Sequence, residues 1–285
     1  MRKIKRSSIS RNKKAYLFLA PSLTGVTVFV LIPFGDVVLR SFQQAVGGRF
    51  VGFQNYIEVL NNQAFRLALK NTARFLGVCI PLLLLISLGT ALLVHNAPNS
   101  GLYKTSILLP MAIPVASIVL LWKIVFFKTG LLSQWAVQAG FQARDWIQGD
   151  SAFGVLVFTY LWKNTGYDMV LWLAGLDGIA KEYYEAAEVD GAGEWQKFLY
   201  ITMPELKSTV FLAAVLSVVN SFKVFREAYL IAGDYPHESI YMLQHLFNNW
   251  FLSLDLQKMS AASVLLLFAA VILAVLWSGK RRAGE

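Results

Sequence analysis

The sequence predicts an all-α polytopic membrane protein with six transmembrane helices. Hydrophobic residues fill 56% of 285 positions and charged ones only 15%, far from the balance of a soluble domain. Ala15–Gly35, Phe75–Val94 and Met259–Gly279 contain no charge at all, and each has the length that crosses a bilayer as a helix. Basic residues then divide unevenly between alternate connecting segments, as they do in multi-span chains.

Taken in order, a basic segment at 1–14 precedes a first transmembrane helix at 15–38. This start is not a signal peptide, because its apolar run is too long and no small-x-small cleavage site follows in a polar context. The second span is Phe75–Val94 and the third is Thr105–Trp122, at the short end of the range. Stretches at about 152–176 and 208–232 are apolar but interrupted by charge, and Met259–Gly279 closes the set. Residues 70–280 thus form a five-helix core, with a polar loop at 178–207.

With the N-terminus inside, the cytoplasmic segments hold seven Lys/Arg before Tyr16, then Lys104, three around 181–207 and three at Lys280–Arg282. That makes 14, against seven outside: Arg40, Arg49, Arg66, Lys70, Lys128, Arg144 and Lys258. Both termini are therefore expected in the cytoplasm of a cell (inner or plasma) membrane protein. The net charge of +9 reads as a topology signal in contact with the lipid bilayer. It forms no single patch for nucleic acid, which is excluded as a partner.

No catalytic residue is visible. Ser100-Gly101-Leu102-Tyr103-Lys104-Thr105 lacks the upstream glycine and the Gly-Lys pair of a nucleotide-binding loop. His237-Glu238 begins like a zinc-protease motif, but Tyr241 stands where the second ligand belongs. His95, His237 and His245 read as interfacial residues near span ends, and Cys79 is the lone cysteine. No metal site, cofactor or disulfide is expected. Any energy consumed must come from another polypeptide.

The loop at 178–207 is the most informative segment. Lys181–Val189 has good helix formers, Asp190-Gly191-Ala192-Gly193 breaks the helix, and Glu194–Ile201 resumes it before Pro204. Glu182, Glu185, Glu188, Asp190 and Glu194 oppose only Lys181 and Lys197. Helices that rest on lipid headgroups carry the opposite sign, so a protein groove is the better partner. A solvated amphipathic connector is the competing reading.

Within this loop stand Glu185-Ala186-Ala187, then Gly191 after three residues, then Ile201-Thr202-Met203-Pro204 after nine more. The pattern resembles the signature of permease subunits of binding-protein-dependent ABC importers, departing only at Met203, where leucine is usual. Ala68-Leu69-Lys70-Asn71-Thr72, Leu108-Leu109-Pro110 with Trp122-Lys123, Leu173-Ala174-Gly175-Leu176, Ser221-Phe222-Lys223-Val224-Phe225 and Ser260-Ala261-Ala262-Ser263 resemble the sugar branch that includes the maltose and glycerol-phosphate systems. Gly233-Asp234-Tyr235-Pro236 departs from that branch's glycine run before proline.

The resemblance implies a type I ABC importer permease fold and a mechanism. The loop would be the coupling helix held in a cleft of a cytoplasmic ATPase subunit. Glu185 would be the polar contact and Gly191 the tight turn; Ala186 and Ala187 would allow close backbone approach, with Asp190 and Pro204 completing the coupling set. Implied partners are a second, non-identical permease subunit, two cytoplasmic ATPase subunits that bind ATP and Mg, and an extracellular sugar-binding protein. That protein would dock on segments 40–70, 128–151 and 233–258.

Ionisable groups at bilayer depth usually face a cavity or a partner. Asn164, Thr165 and Asp168 lie within one turn of the fourth span's midpoint, and Asn164 and Asp168 share a face. Ser217, Asn220, Ser221 and Val224 form one face of the fifth span. Such faces suit a ligand rich in hydroxyls through neutral donors and acceptors. Interhelical hydrogen bonding is the alternative use of small polar residues, and the resemblance favours the substrate pathway. Lys163, Lys223, Arg226 and Glu227 read as weaker members, since long basic chains can snorkel. Trp162, Tyr167 and Trp172 read as belt aromatics rather than sugar platforms.

The function expected is half of the pathway for ATP-driven uptake of a sugar, an oligosaccharide in the first instance. A glycerol-phosphate-like substrate stays open, given Lys163 and Lys223. Two other classes compete. An ion-coupled secondary carrier predicts internal repeats and a carboxylate relay, of which Asp168 is the lone sign. A membrane scaffold or receptor leaves the two polar faces without a use.

Overall fold

The computed structural model describes residues 18–95, 97–98 and 100–282. The basic segment at 1–14 and the first residues of the first span, 15–17, lie outside the described residues. The helices are α1 (Phe18–Ser41), α2 (Gln54–Asn61), α3 (Gln63–His95), α4 (Ser100–Ala112), α5 (Val115–Phe126), α6 (Leu131–Gln138) and α7 (Ser151–Asp177). There follow α8 (Lys181–Val189), α9 (Glu194–Lys197), α10 (Lys207–Ser221), α11 (Phe225–Ala232), α12 (Leu243–Leu252) and α13 (Leu256–Arg282). No strand occurs among the described residues, which hold only an isolated bridge between Gln43 and Phe50.

Phe18–Ser41, Gln63–His95, Val115–Gln138 and Lys207–Ala232 are long and apolar enough to cross a membrane, and Leu256–Ile272 is a shorter apolar stretch. α7 is less apolar because Lys163, Asn164 and Asp168 interrupt it, yet its 27 residues extend about 40 Å at 1.5 Å each. That exceeds the hydrocarbon core of about 30 Å. The architecture is the six-span helical one.

Two spans are broken where the sequence suggests continuity. The expected run Thr105–Trp122 divides into α4 and α5, because Pro114 has no N–H and adopts an extended ψ of 141°. Its restriction on Ile113 ends α4, and Pro114 O then accepts from Ser117 N at 3.0 Å and Ile118 N at 3.2 Å to restart the helix. The fifth span passes through a 3₁₀ turn at Phe222–Val224 between α10 and α11. Non-α backbone at membrane depth survives where it lines a cavity.

The chain forms two compact units, Met1–Phe65 with Phe247–Glu285, and Arg66–Leu246. In the first, α13 packs on α1 and α2. Phe42, Phe53 and Tyr56 form a ring cluster with centroids 5.3–5.7 Å apart. Beside it Asn55 Nδ2 donates to Ser41 O and Gln43 O, both at 2.9 Å. The apolar window of α1 buries no residue, leaving it to lipid.

The second unit holds two hydrophobic clusters. One joins Phe75, Cys79 and Leu83 of α3 to Leu156 and Tyr160 of α7 and to Val224 and Ala228. The other joins Leu88 and Ala91 of α3 to Met169, Trp172 and Leu176 of α7 and to Leu206. Trp172 Nε1 donates to Ser87 Oγ at 2.8 Å, so this ring locks two spans together rather than marking an interface. Apolar burial between spans does little in lipid, and such hydrogen bonds carry part of the specificity.

Asn71 and Thr72 also acquire a role. Asn71 Nδ2 donates to Glu238 O at 2.6 Å and Tyr241 O at 2.9 Å, and Thr72 Oγ1 accepts from Leu243 N at 3.1 Å. These bonds fasten the 238–243 turn to α3. Asn71→Ala removes both bonds, each worth about 0.5–1.5 kcal/mol, and should destabilise the unit by about 1–3 kcal/mol. A thermal melt of the purified chain in detergent checks this, and an unchanged midpoint would remove the fastening role.

His245 corrects the expectation of interfacial histidines. It is fully buried between the Phe225 and Tyr241 rings, and its Nδ1 accepts from Met242 N at 3.2 Å, a back-bond that caps α12. Burial holds the ring's pKa down at about 4 against an opposing pull from Asp234, so the imidazole is neutral near pH 7.

Candidate functional site

The loop before the fifth span forms a braced elbow. α8 occupies Lys181–Val189 as expected. Gly191 then turns the chain at φ +79°, a left-handed conformation glycine adopts without strain. Beyond it the helix does not stop ahead of Pro204. α9 widens into a π turn at Phe198–Thr202, where Met203 N reaches back to Phe198 O, and continues through Met203–Glu205. The register shift accommodates a proline whose missing N–H would interrupt an α-helix.

Two cross-links set the angle of the elbow. Lys197 Nζ donates to Glu188 Oε1 at 2.8 Å and Glu194 Oε1 at 2.7 Å, and Tyr184 OH meets Thr202 Oγ1 at 2.9 Å. Hydrogen bonds to Glu188 and Glu194 hold the Lys197 ammonium above its ordinary pKa, so it stays charged and both links persist at neutral pH. Ile201 and Met203 pack against the cluster around Leu206. The apolar end of the signature thus seats the elbow on the spans, and methionine serves there as leucine would.

Glu185, Ala186, Asp190, Gly191 and Pro204 are exposed, and Ala187 is half-buried. Apolar side chains stand out with them: Val189 is 89% exposed and Trp195 70%. A rigid surface mixing acids with exposed Val, Trp and Tyr has the composition of a protein-docking face. The acids were legible in the sequence; the exposed apolar residues needed the structure.

A cavity of about 400 Å³ opens where the two broken spans meet α7. Met111–Val115 forms one wall, Thr159, Tyr160, Lys163 and Asn164 a second, and Asn220, Lys223, Val224, Arg226 and Glu227 a third. Of the expected pathway residues, Asn164 and Asn220 line it. The other four are turned to helix contacts. Ser217 Oγ donates to Asp168 Oδ2 at 2.7 Å, bridging the fourth and fifth spans. Thr165 Oγ1 bonds Leu161 O at 2.6 Å and Ser221 Oγ bonds Val218 O at 2.6 Å, each within its own helix.

The lining is not the neutral set the sequence suggests. Lys163 Nζ lies 2.5 Å from Glu227 Oε1, and Lys223 Nζ donates to Asn220 Oδ1 at 2.8 Å. The sequence placed Lys163, Lys223, Arg226 and Glu227 only as weaker members, although Glu227 lies three residues beyond Val224 on the polar stripe of the fifth span.

Residues 84–279 match the family described as "Binding-protein-dependent transport system inner membrane component". The chain is 31% identical over 233 residues to an arabinooligosaccharides transport system permease protein of Bacillus subtilis (strain 168), covering 78% of this chain and 73% of that one. It is 30% identical over 260 residues to a trehalose/maltose transport system permease protein of Thermococcus litoralis, covering 89% and 88%. A bacterial ABC transporter involved in import of the acidic polysaccharide alginate has a chain of the same fold, with a TM-score of 0.78, 20% identity and 96% of each chain covered.

Proposed function

The chain belongs to the family of inner membrane components of binding-protein-dependent transport systems, and on that premise we propose that it forms half of the pathway by which an ATP-driven importer takes up a sugar. The relatives named for arabinooligosaccharides and for trehalose/maltose support a saccharide cargo, an oligosaccharide in the first instance. A second, non-identical permease completes the pathway. An external binding protein delivers the sugar, and two cytoplasmic ATPase subunits bind the ATP and Mg. Both termini lie in the cytoplasm, as does the elbow.

The observation that carries this reading is the braced elbow. Lys197 and Tyr184 fix its two arms, while Glu185 and Val189 are left exposed for a partner. A rigid lever can transmit the closing of an ATPase pair to α7 and α10, the helices on either side of it; a solvated connector needs no cross-links.

In proteoliposomes, the complex purified through this chain should hydrolyse ATP faster when the sugar-loaded binding protein is added. Uptake should stop when ATP is depleted. Uptake that persists without ATP under a proton gradient would instead establish an ion-coupled carrier.

A further inference from the structure

The charges in the cavity lining do not balance. Lys163 and Glu227 neutralise each other as an ion pair. Lys223 and Arg226 remain. Lys223 makes one hydrogen bond, to a neutral amide oxygen, and Arg226 has neither a hydrogen bond nor an ion pair among the described residues. Both side chains are exposed in this chain, and ionisable groups within a span usually face a cavity or a partner and mark a substrate path.

A second observation comes from the cavity's amides. Asn164 Nδ2 is taken by Tyr160 O and Asn220 Oδ1 by Lys223, which leaves Asn164 Oδ1 and Asn220 Nδ2 as an acceptor and a donor with no partner among the described residues. Open groups of both kinds suit hydroxyls.

Together these groups ask for one ligand with two properties. It must bring negative charge to Arg226 and Lys223, and hydroxyls to Asn164 and Asn220. A neutral sugar leaves both cations bare, and an inorganic anion supplies charge without a sugar's array of hydroxyls. We propose that the cavity takes an anionic saccharide, its acid group bound by the Arg226 guanidinium and the Lys223 ammonium and its hydroxyls by Asn164 Oδ1 and Asn220 Nδ2. Guanidinium forks suit planar carboxylates, and about 400 Å³ is of small-molecule size. The proposal rests on the importer reading and names the class of its cargo.

The test is binding to the purified permease–ATPase complex in detergent, by calorimetry, of three probes: a uronate disaccharide, the neutral disaccharide of the same linkage, and a hexose phosphate. The uronate should bind at least tenfold tighter than the neutral sugar, with Arg226→Gln and Lys223→Gln each weakening it about fivefold. Tighter binding of the hexose phosphate would support the anionic class with phosphate as its acid. Equal binding of acidic and neutral sugars overturns the proposal, as does dissociation of the complex by either variant, which would assign the cations to the second permease. In those cases, ATP-driven uptake of a neutral sugar by the same complex leaves the importer reading intact. If neither sugar is bound nor taken up, both fall.

Discussion

Glu185→Lys should cut the ATP hydrolysis stimulated by the loaded binding protein at least tenfold, while the chain still inserts and folds. The expectation follows from what Glu185 lacks. It is exposed on α8 and has no hydrogen bond or ion pair among the described residues, and surface substitutions of that kind stay within about 0.5 kcal/mol of neutral for the fold. A tenfold effect corresponds to about 1.4 kcal/mol, more than the chain itself can account for. Reversing a charge inside an interface sets like charges together and weakens docking by at least that much. Two readouts separate the causes. The binding protein should keep its affinity for sugar, and the ATPase subunits should be partly lost when the variant complex is purified through this chain. Undiminished stimulation by Glu185→Lys would remove the docking role from this face.

The elbow is also where sequence reasoning reached furthest. Helix formers at Lys181–Val189 and glycines at Gly191 and Gly193 are local signals, and the helix and turn follow them residue for residue. Local signals stop at Pro204. A π turn is a shift in hydrogen-bond register set by how Ile201 and Met203 pack, so a rule that proline ends helices ahead of itself ended this one too early.

The third span shows the same limit from the other direction. Hydropathy runs unbroken from Thr105 to Trp122, and only the position of Pro114 carries the break that shapes the cavity. The charge of that cavity lay further still from view. Lys163 and Glu227 are 64 positions apart and become partners only when α7 and α11 are brought together. Read one helix at a time, Lys163 is a long basic chain able to reach the membrane surface and Glu227 only a weaker member of a polar face.

The packing of α4 on α7 sets that geometry, and it depends on one missing methyl group. A Cβ on Gly166 would lie 2.3 Å from Ile107 O, 2.8 Å from Ile107 C and 2.9 Å from Leu108 Cα. All three are backbone atoms of α4, which no rotamer change can move. Gly154, three turns earlier on α7, has nothing within 4 Å of the same position. Glycine to alanine inside a helix gains about 1 kcal/mol from propensity alone, so the two sites should respond with opposite signs. Gly154→Ala should leave the melting midpoint in detergent unchanged or raise it. Gly166→Ala should lower it by several degrees, since overpacking a tight contact costs about 1–3 kcal/mol, and Gly166→Val should yield no monodisperse protein. Small residues at span interfaces permit this kind of backbone approach. The damage should also reach function, because α4 ends at the cavity wall formed by Met111–Val115, and Lys163 and Asn164 precede Gly166 on the facing helix. Equal midpoints for the two alanine variants would show that α4 and α7 do not meet at Gly166, and the cavity walls would have to be redrawn.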